Sequence, residues 1–159
     1  MRASFDISPR LPVRAELAKQ VARFCMDRAR KPAAFRGMVL PQVVHFKMVT
    51  TRAKNRSGRA QRNLRLERMC HRANPRVQVF LRVGVHDSAY IERYHRYADS
   101  PTCLVDGTVE CLVHLVAHEV GHAVVGYDGH KAGEFCCERF AAACLEGWRE
   151  ATQDPACMV

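Results

Sequence analysis

Residues 118–122 read HEVGH, and they lie in a stretch that tolerates almost no charge. From Cys111 to Tyr127 the chain carries Leu112, Val113, Leu115, Val116, Ala117, Val120, Ala123, Val124 and Val125. On a helix these cover every side, so the helix has to be buried all round. Glu119 is the only carboxylate in that stretch, and no Lys or Arg is there to neutralise it. Positions i and i+4 share a helical face, so His118 and His122 can hold one ion between them. Glu119 projects in an adjacent direction, where it can touch water on that ion without being a ligand. Burying a lone carboxylate beside two imidazoles is costly unless something pairs with them, and a cation satisfies all three. The competing reading is a pair of core histidines bonded to backbone, with Glu119 protonated or reaching solvent.

A catalytic zinc usually keeps three protein ligands and one open position. His114 shares the face of His118 one turn earlier, but a ligand there would crowd an open site, so it reads as a satisfied histidine. Three later residues qualify as the third ligand. His130 lies in the polar loop that follows, and Glu134 and Glu138 lie four apart on the last helix. Their stripe continues as Ala141, Leu145 and Trp148, so both carboxylates point toward the core. One of them as a ligand and the other holding a histidine ring N–H would account for both. Alternatively, Glu134 merely favours a helix N-terminus, as acidic residues do.

HEVGH matches the HExxH motif, and the chain resembles zinc metallopeptidases that carry it. The resemblance implies Zn2+ as cofactor, peptide-bond hydrolysis, and Glu119 as the general base that later hands its proton to the leaving amine. Glu134-Phe-Cys-Cys-Glu138-Arg-Phe-Ala141 is similar to the ExxA(D/E/N)xFA segment of gluzincins, including the ImmA/IrrE-like group. It implies that Glu134 binds zinc and Glu138 supports a histidine. Cys137 stands where that group has alanine, and the spacing from the motif is short. Asp128-Gly-His130-Lys-Ala-Gly-Glu-Phe135 resembles SprT-like peptidases instead, which implies His130 as the ligand and DNA-bound proteins as substrates. The metzincin pattern does not fit, because Val125 and Asp128 stand where it needs glycine and histidine.

Periodicity predicts a helix over 13–30, with Leu17, Val21, Phe24 and Cys25 on one face and a stop at Pro32. Residues 42–51 and 77–85 predict strands, the second by alternation of Val77, Val79, Leu81, Val83 and Val85. Asn55 to Gly58 reads as a turn, and 60–72 fits a strand or a short helix. Residues 86–101 read as a loop or short helix. Asp106 or Thr108 can cap the active helix, which runs to about Val125 and stops at Gly126. The last helix covers about 132–149. The expected architecture is a minimal zincin-like α+β domain over 1–159: N-terminal helix, two- or three-stranded sheet, HExxH helix, loop, C-terminal helix. Segment 108–149 is its metal-binding helical pair, and a strand such as 77–85 or Thr102–Val105 would present substrate backbone.

Charge divides the chain. Residues 1–82 hold 20 Lys or Arg against 4 Asp or Glu, and residues 83–159 hold 5 against 12. The basic half suggests a nucleic-acid partner, or an acidic protein, as much as a solvated arginine-rich surface. A nucleic-acid-binding protein with structural zinc is therefore a second functional reading, and a degenerate zincin acting only as an interaction module is a third. At 48% apolar residues the chain can bury a core without disulfides. Its eight cysteines include no CxxC pair, and with no signal-peptide run they are expected to be free thiols in the cytoplasm. A second zinc site on Cys70 and His71 would need partners from far along the chain. No apolar stretch is long enough to span a membrane.

Overall fold

A computed structural model describes residues 2–31, 35, 40–41, 43–51, 58–61, 76–82, 88–91, 103–125 and 131–153. Alternation builds the first layer. Strand β1 (Arg2–Ile7) exposes Arg2, Ser4 and Asp6 and turns Ala3, Phe5 and Ile7 inward. Strand β2 (Val43–Thr51) buries Val44, Phe46 and Met48 and exposes His45 and Lys47. The two pair in parallel with Phe5 opposite Phe46, and those rings stack at 5.5 Å. Parallel neighbours need a crossover, and helix α1 (Ala15–Ala29) supplies it. Ala18, Val21, Ala22, Cys25, Met26 and Ala29 form its buried face.

Strands β3 (Gly58–Gln61) and β4 (Arg76–Arg82) complete a four-stranded sheet in the order β1-β2-β4-β3, with β3 antiparallel at the edge. Strands β5 (Ser88–Ile91) and β6 (Cys103–Asp106) form a separate antiparallel pair. Helix α2 (Gly107–Val125) follows β6 directly, and helix α3 (Lys131–Gln153) packs along it. Helix α1 and the backbones of β3, β4 and β6 lie against the other sides of α2. That enclosure is what an all-apolar helix requires. Among the described residues no helix is long and apolar enough to cross a membrane.

The α+β class stands, but the element list needs correcting. The chain opens on a strand rather than the expected helix, and the sheet has four strands rather than two or three, beside a second small sheet. Residues 88–91 are a strand where a loop or short helix was expected. Both missed strands are short and owe their order to a ladder partner, β2 for one and β6 for the other. β4 pairs with β2 along Arg76–Arg82 and with β3 along Arg76–Val79, so the first part of the expected 77–85 strand has both sides taken, and residues 83–85 lie outside the described residues. Helix α3 runs on to Gln153, past the expected 149, because Glu150 and Ala151 favour helix and Pro155 is the first breaker. The expected stop at Gly126, most of the 60–72 segment, Cys70 and His71 lie outside the described residues.

Helix α2 begins with Gly107 at φ 75°, a left-handed turn out of β6 that a side chain would strain. Capping comes from within the helix: Glu110 accepts the Asp106 N–H at 2.7 Å. The same carboxylate takes two hydrogen bonds from Arg149, Nε at 2.8 Å and Nη2 at 2.5 Å. One side chain thus joins the strand end, the start of α2 and the far end of α3. The Arg149 guanidinium also holds the Glu110 carboxyl below the usual carboxylate range. Replacing Glu110 by Ala is expected to lower unfolding free energy by about 1–3 kcal/mol, the range for charged hydrogen bonds in a part-buried site. Urea denaturation measures it, and an unchanged midpoint would show that Arg149 contributes nothing.

Candidate metal centre

Helical spacing puts His114, His118 and His122 on one face of α2, and Glu134 and Glu138 on the facing side of α3. Because the helices pair antiparallel, the five side chains interleave. His122 Nε2 lies 3.3 Å from Glu134 Oε2, and His118 Nε2 lies 3.5 Å from the same oxygen. The two Nε2 atoms are 3.0 Å apart. One turn further, His118 Nδ1 is 3.0 Å from Glu138 Oε1, and His114 Nε2 is 3.5 Å from Glu138 Oε2. The His118 contact has the length of a hydrogen bond but not the alignment of one.

Three donors, His118 Nε2, His122 Nε2 and Glu134 Oε2, therefore form a triangle with sides of 3.0, 3.3 and 3.5 Å. Zinc bonds nitrogen and carboxylate oxygen at about 2.0–2.2 Å in a tetrahedron, whose edges are then about 3.3–3.6 Å. The triangle is close to one face of such a tetrahedron, and all three groups lie within 4.8 Å of one another. Two imidazoles and a carboxylate are also the donor types that suit zinc. Glu119, 5% exposed, has a buried Oε2 without a hydrogen-bond partner, an atom that a held water could satisfy.

The electrostatics point the same way. Burial lowers the affinity of the His118 ring for a proton, but the carboxylates of Glu134 and Glu138 outweigh it and lift its pKa to about 10. Glu134 is held well below the usual carboxylate range by His118 and His122, the same contact seen from its other end. Burial pushes Glu138 up, yet His114 and His118 bring it down to about 2. Glu119 moves the other way: burial raises it to about 7, although His118 and His122 pull it down. The site thus takes up a proton where it would take a cation.

A zinc ion taken up by this cluster would have to displace that proton, since a ligand imidazole is neutral. At pH 7–8 zinc binding is expected to release about one proton per ion, and apparent affinity to rise about tenfold per pH unit while His118 remains protonated in the free protein, up to about 10. Calorimetry in buffers of different ionisation enthalpy reads the proton directly; affinity independent of pH would contradict the arrangement.

Of the residues singled out in the sequence, the structure brings together His118, His122, Glu134 and Glu138, with Glu119 buried beside them. His130 lies outside the described residues. His114, which the sequence reads as a satisfied histidine, instead faces Glu138 with no aligned hydrogen bond at either ring nitrogen. One contributor was not read from the sequence. Gly121 lets the helices meet: a Cβ there would stand 2.9 Å from Cys137 Sγ and 3.2 Å from its Cα. Nothing in HEVGH alone marks that glycine as a contact. No family model matches the chain, and it has no significant match among curated proteins or solved structures.

Proposed function

We propose that this chain is a zinc-dependent peptidase of the zincin kind, acting on a protein or peptide substrate. The observation that carries the reading is the triangle of His118, His122 and Glu134 donors beside the buried, unpartnered carboxylate of Glu119. Zinc held there would act as a Lewis acid and bring the pKa of a water it holds to about 7. The chain's own groups do the rest. His118, His122 and Glu134 hold the ion, and Glu138 orients the His118 ring. Glu119, whose carboxyl burial raises above the usual range, can accept the water's proton and return it to the leaving amine. Burial keeps competing water from that carboxylate.

Among the described residues β3 is an edge strand and its backbone lies beside α2, so an extended substrate could add there by strand pairing. A nucleic-acid contact through residues 1–82 is a separable proposal. Part of that charge is used within the fold, where Lys19 pairs with Glu16 at 2.6 Å and Arg30 with Asp27 at 2.6 Å. Steep weakening of nucleic-acid binding with salt would be its mark.

The test is metal content and hydrolysis together. Purified protein should carry about one zinc per chain and cleave an unfolded protein such as casein. A chelator should stop cleavage and added zinc restore it. A folded protein with neither bound metal nor affinity for zinc would overturn the peptidase reading.

A further inference from the structure

We propose that His114 is a positioning residue for the metal centre, acting through Glu138; the inference rests on the reading of His118, His122 and Glu134 as the ion-holding set. His114 is 2% exposed, deep on the face of α2 that carries the site, and neither ring nitrogen has an aligned hydrogen-bond partner. A buried imidazole without partners is costly, so its place needs a reason. The charged group it faces is Glu138, 8% exposed, with Nε2 and Oε2 3.5 Å apart.

Glu138 has two oxygens and no donor when ionised. Its Oε1 faces His118 Nδ1 at 3.0 Å, which leaves Oε2 for His114. The last torsion of a glutamate is soft, so a carboxylate held by one oxygen alone can turn away from its partner. Glu138 instead faces a histidine at each oxygen, the two one helical turn apart on α2, so turning away from one of them opens a contact of 3.0 or 3.5 Å. His114 therefore limits the turning of Glu138, Glu138 orients the His118 ring, and the other nitrogen of that ring stands among the donors that would hold the ion. The donor set does not include His114 itself. The order of residues along the two helices, His122, Glu134, His118, Glu138, His114, makes a ladder in which the last rung is unexplained unless it braces the one before.

The test is zinc affinity, measured by competition with a chromophoric chelator, in wild type, His114→Phe, His114→Gln and Glu138→Gln. His114→Phe keeps the volume but removes the donor, and should weaken zinc about tenfold, the lower end for groups behind a ligand. His114→Gln keeps an N–H that can reach Glu138 and should recover most of the loss, which a packing role would not predict. Added to Glu138→Gln, His114→Phe should cost nothing further, because its effect passes through that carboxylate. Should His114→Phe fail to fold, His114→Asn, polar but too short to reach, must show the weakening. Wild-type affinity in folded His114→Phe or His114→Asn overturns the inference, as does a loss in His114→Phe that adds in full to that of Glu138→Gln. If wild type itself binds no zinc, the peptidase reading fails and this inference falls with it. If wild type binds and His122→Ala does not, while the His114 variants bind normally, only the inference fails.

Discussion

Replacing Glu119 by Gln should abolish peptide hydrolysis while zinc stays bound and the fold stays intact. Loss of a general base costs about 10²–10⁴-fold in rate, the largest effect expected of a single isosteric change in this protein. Each part of the expectation has its own cause. The amide has the size of the carboxylate, so the 5%-exposed position is refilled without a cavity. Glu119 is outside the triangle of donors, so metal content should not change. A neutral amide also removes a buried carboxylate whose Oε2 lacks a partner, so the melting temperature should hold or rise. Because a base must be deprotonated to act, wild-type activity should fall as pH drops through the Glu119 pKa. Burial sets that value at about 7, and a cation held by the neighbouring histidines would bring it lower. Casein cleavage against pH, beside zinc content by atomic absorption, measures all of it. Retained turnover in the Gln variant would remove Glu119 from the chemistry.

His122→Ala should lose zinc at micromolar concentrations, and Glu134→Ala should do the same. Zinc held by about four ligands in small domains is worth about 10–16 kcal/mol, so one ligand carries roughly 3 kcal/mol and its removal costs at least about 100-fold in affinity. Thermal unfolding reads the same quantity. Zinc at about a hundred times its dissociation constant stabilises a native state by about 2.7 kcal/mol, which is about 5–11 °C for a domain of this size. Wild type should show that shift, and neither variant should at the same zinc concentration. Glu134→Ala decides more than His122→Ala, since the sequence offered His130 for the same role. A normal shift in Glu134→Ala, with zinc lost from His130→Ala, would move the third ligand to the loop.

How much of this was written in the sequence depends on how local each signal is. Helix α2 was legible because its burial shows as unbroken apolarity, and the lone carboxylate at Glu119 followed from the same run. The inward stripe of Glu134 and Glu138 was legible from i, i+4 spacing and the apolar residues continuing it. Helix α1 and strand β4 carried their own periodicity, and β2 was read from its β-branched residues. β1 and β5 did not: a six-residue and a four-residue segment give too little pattern, and pairing rather than propensity makes them strands.

The sequence by itself determined which residues can do chemistry and on which helical face they stand, because side-chain direction on a helix follows from its 3.6-residue turn alone. Only the tertiary structure decided how those faces meet. Gly121 allows α3 to approach so closely that Cys137 fills the place of its missing side chain. Glu110 and Arg149 tie the helices together at the opposite end. With the helices held by these two contacts, the pairing settles which carboxylate faces which imidazole: Glu134 against both His118 and His122, Glu138 against His114 and His118. Spacing along one helix cannot supply that information, because the register of two helices is set by packing along their whole length.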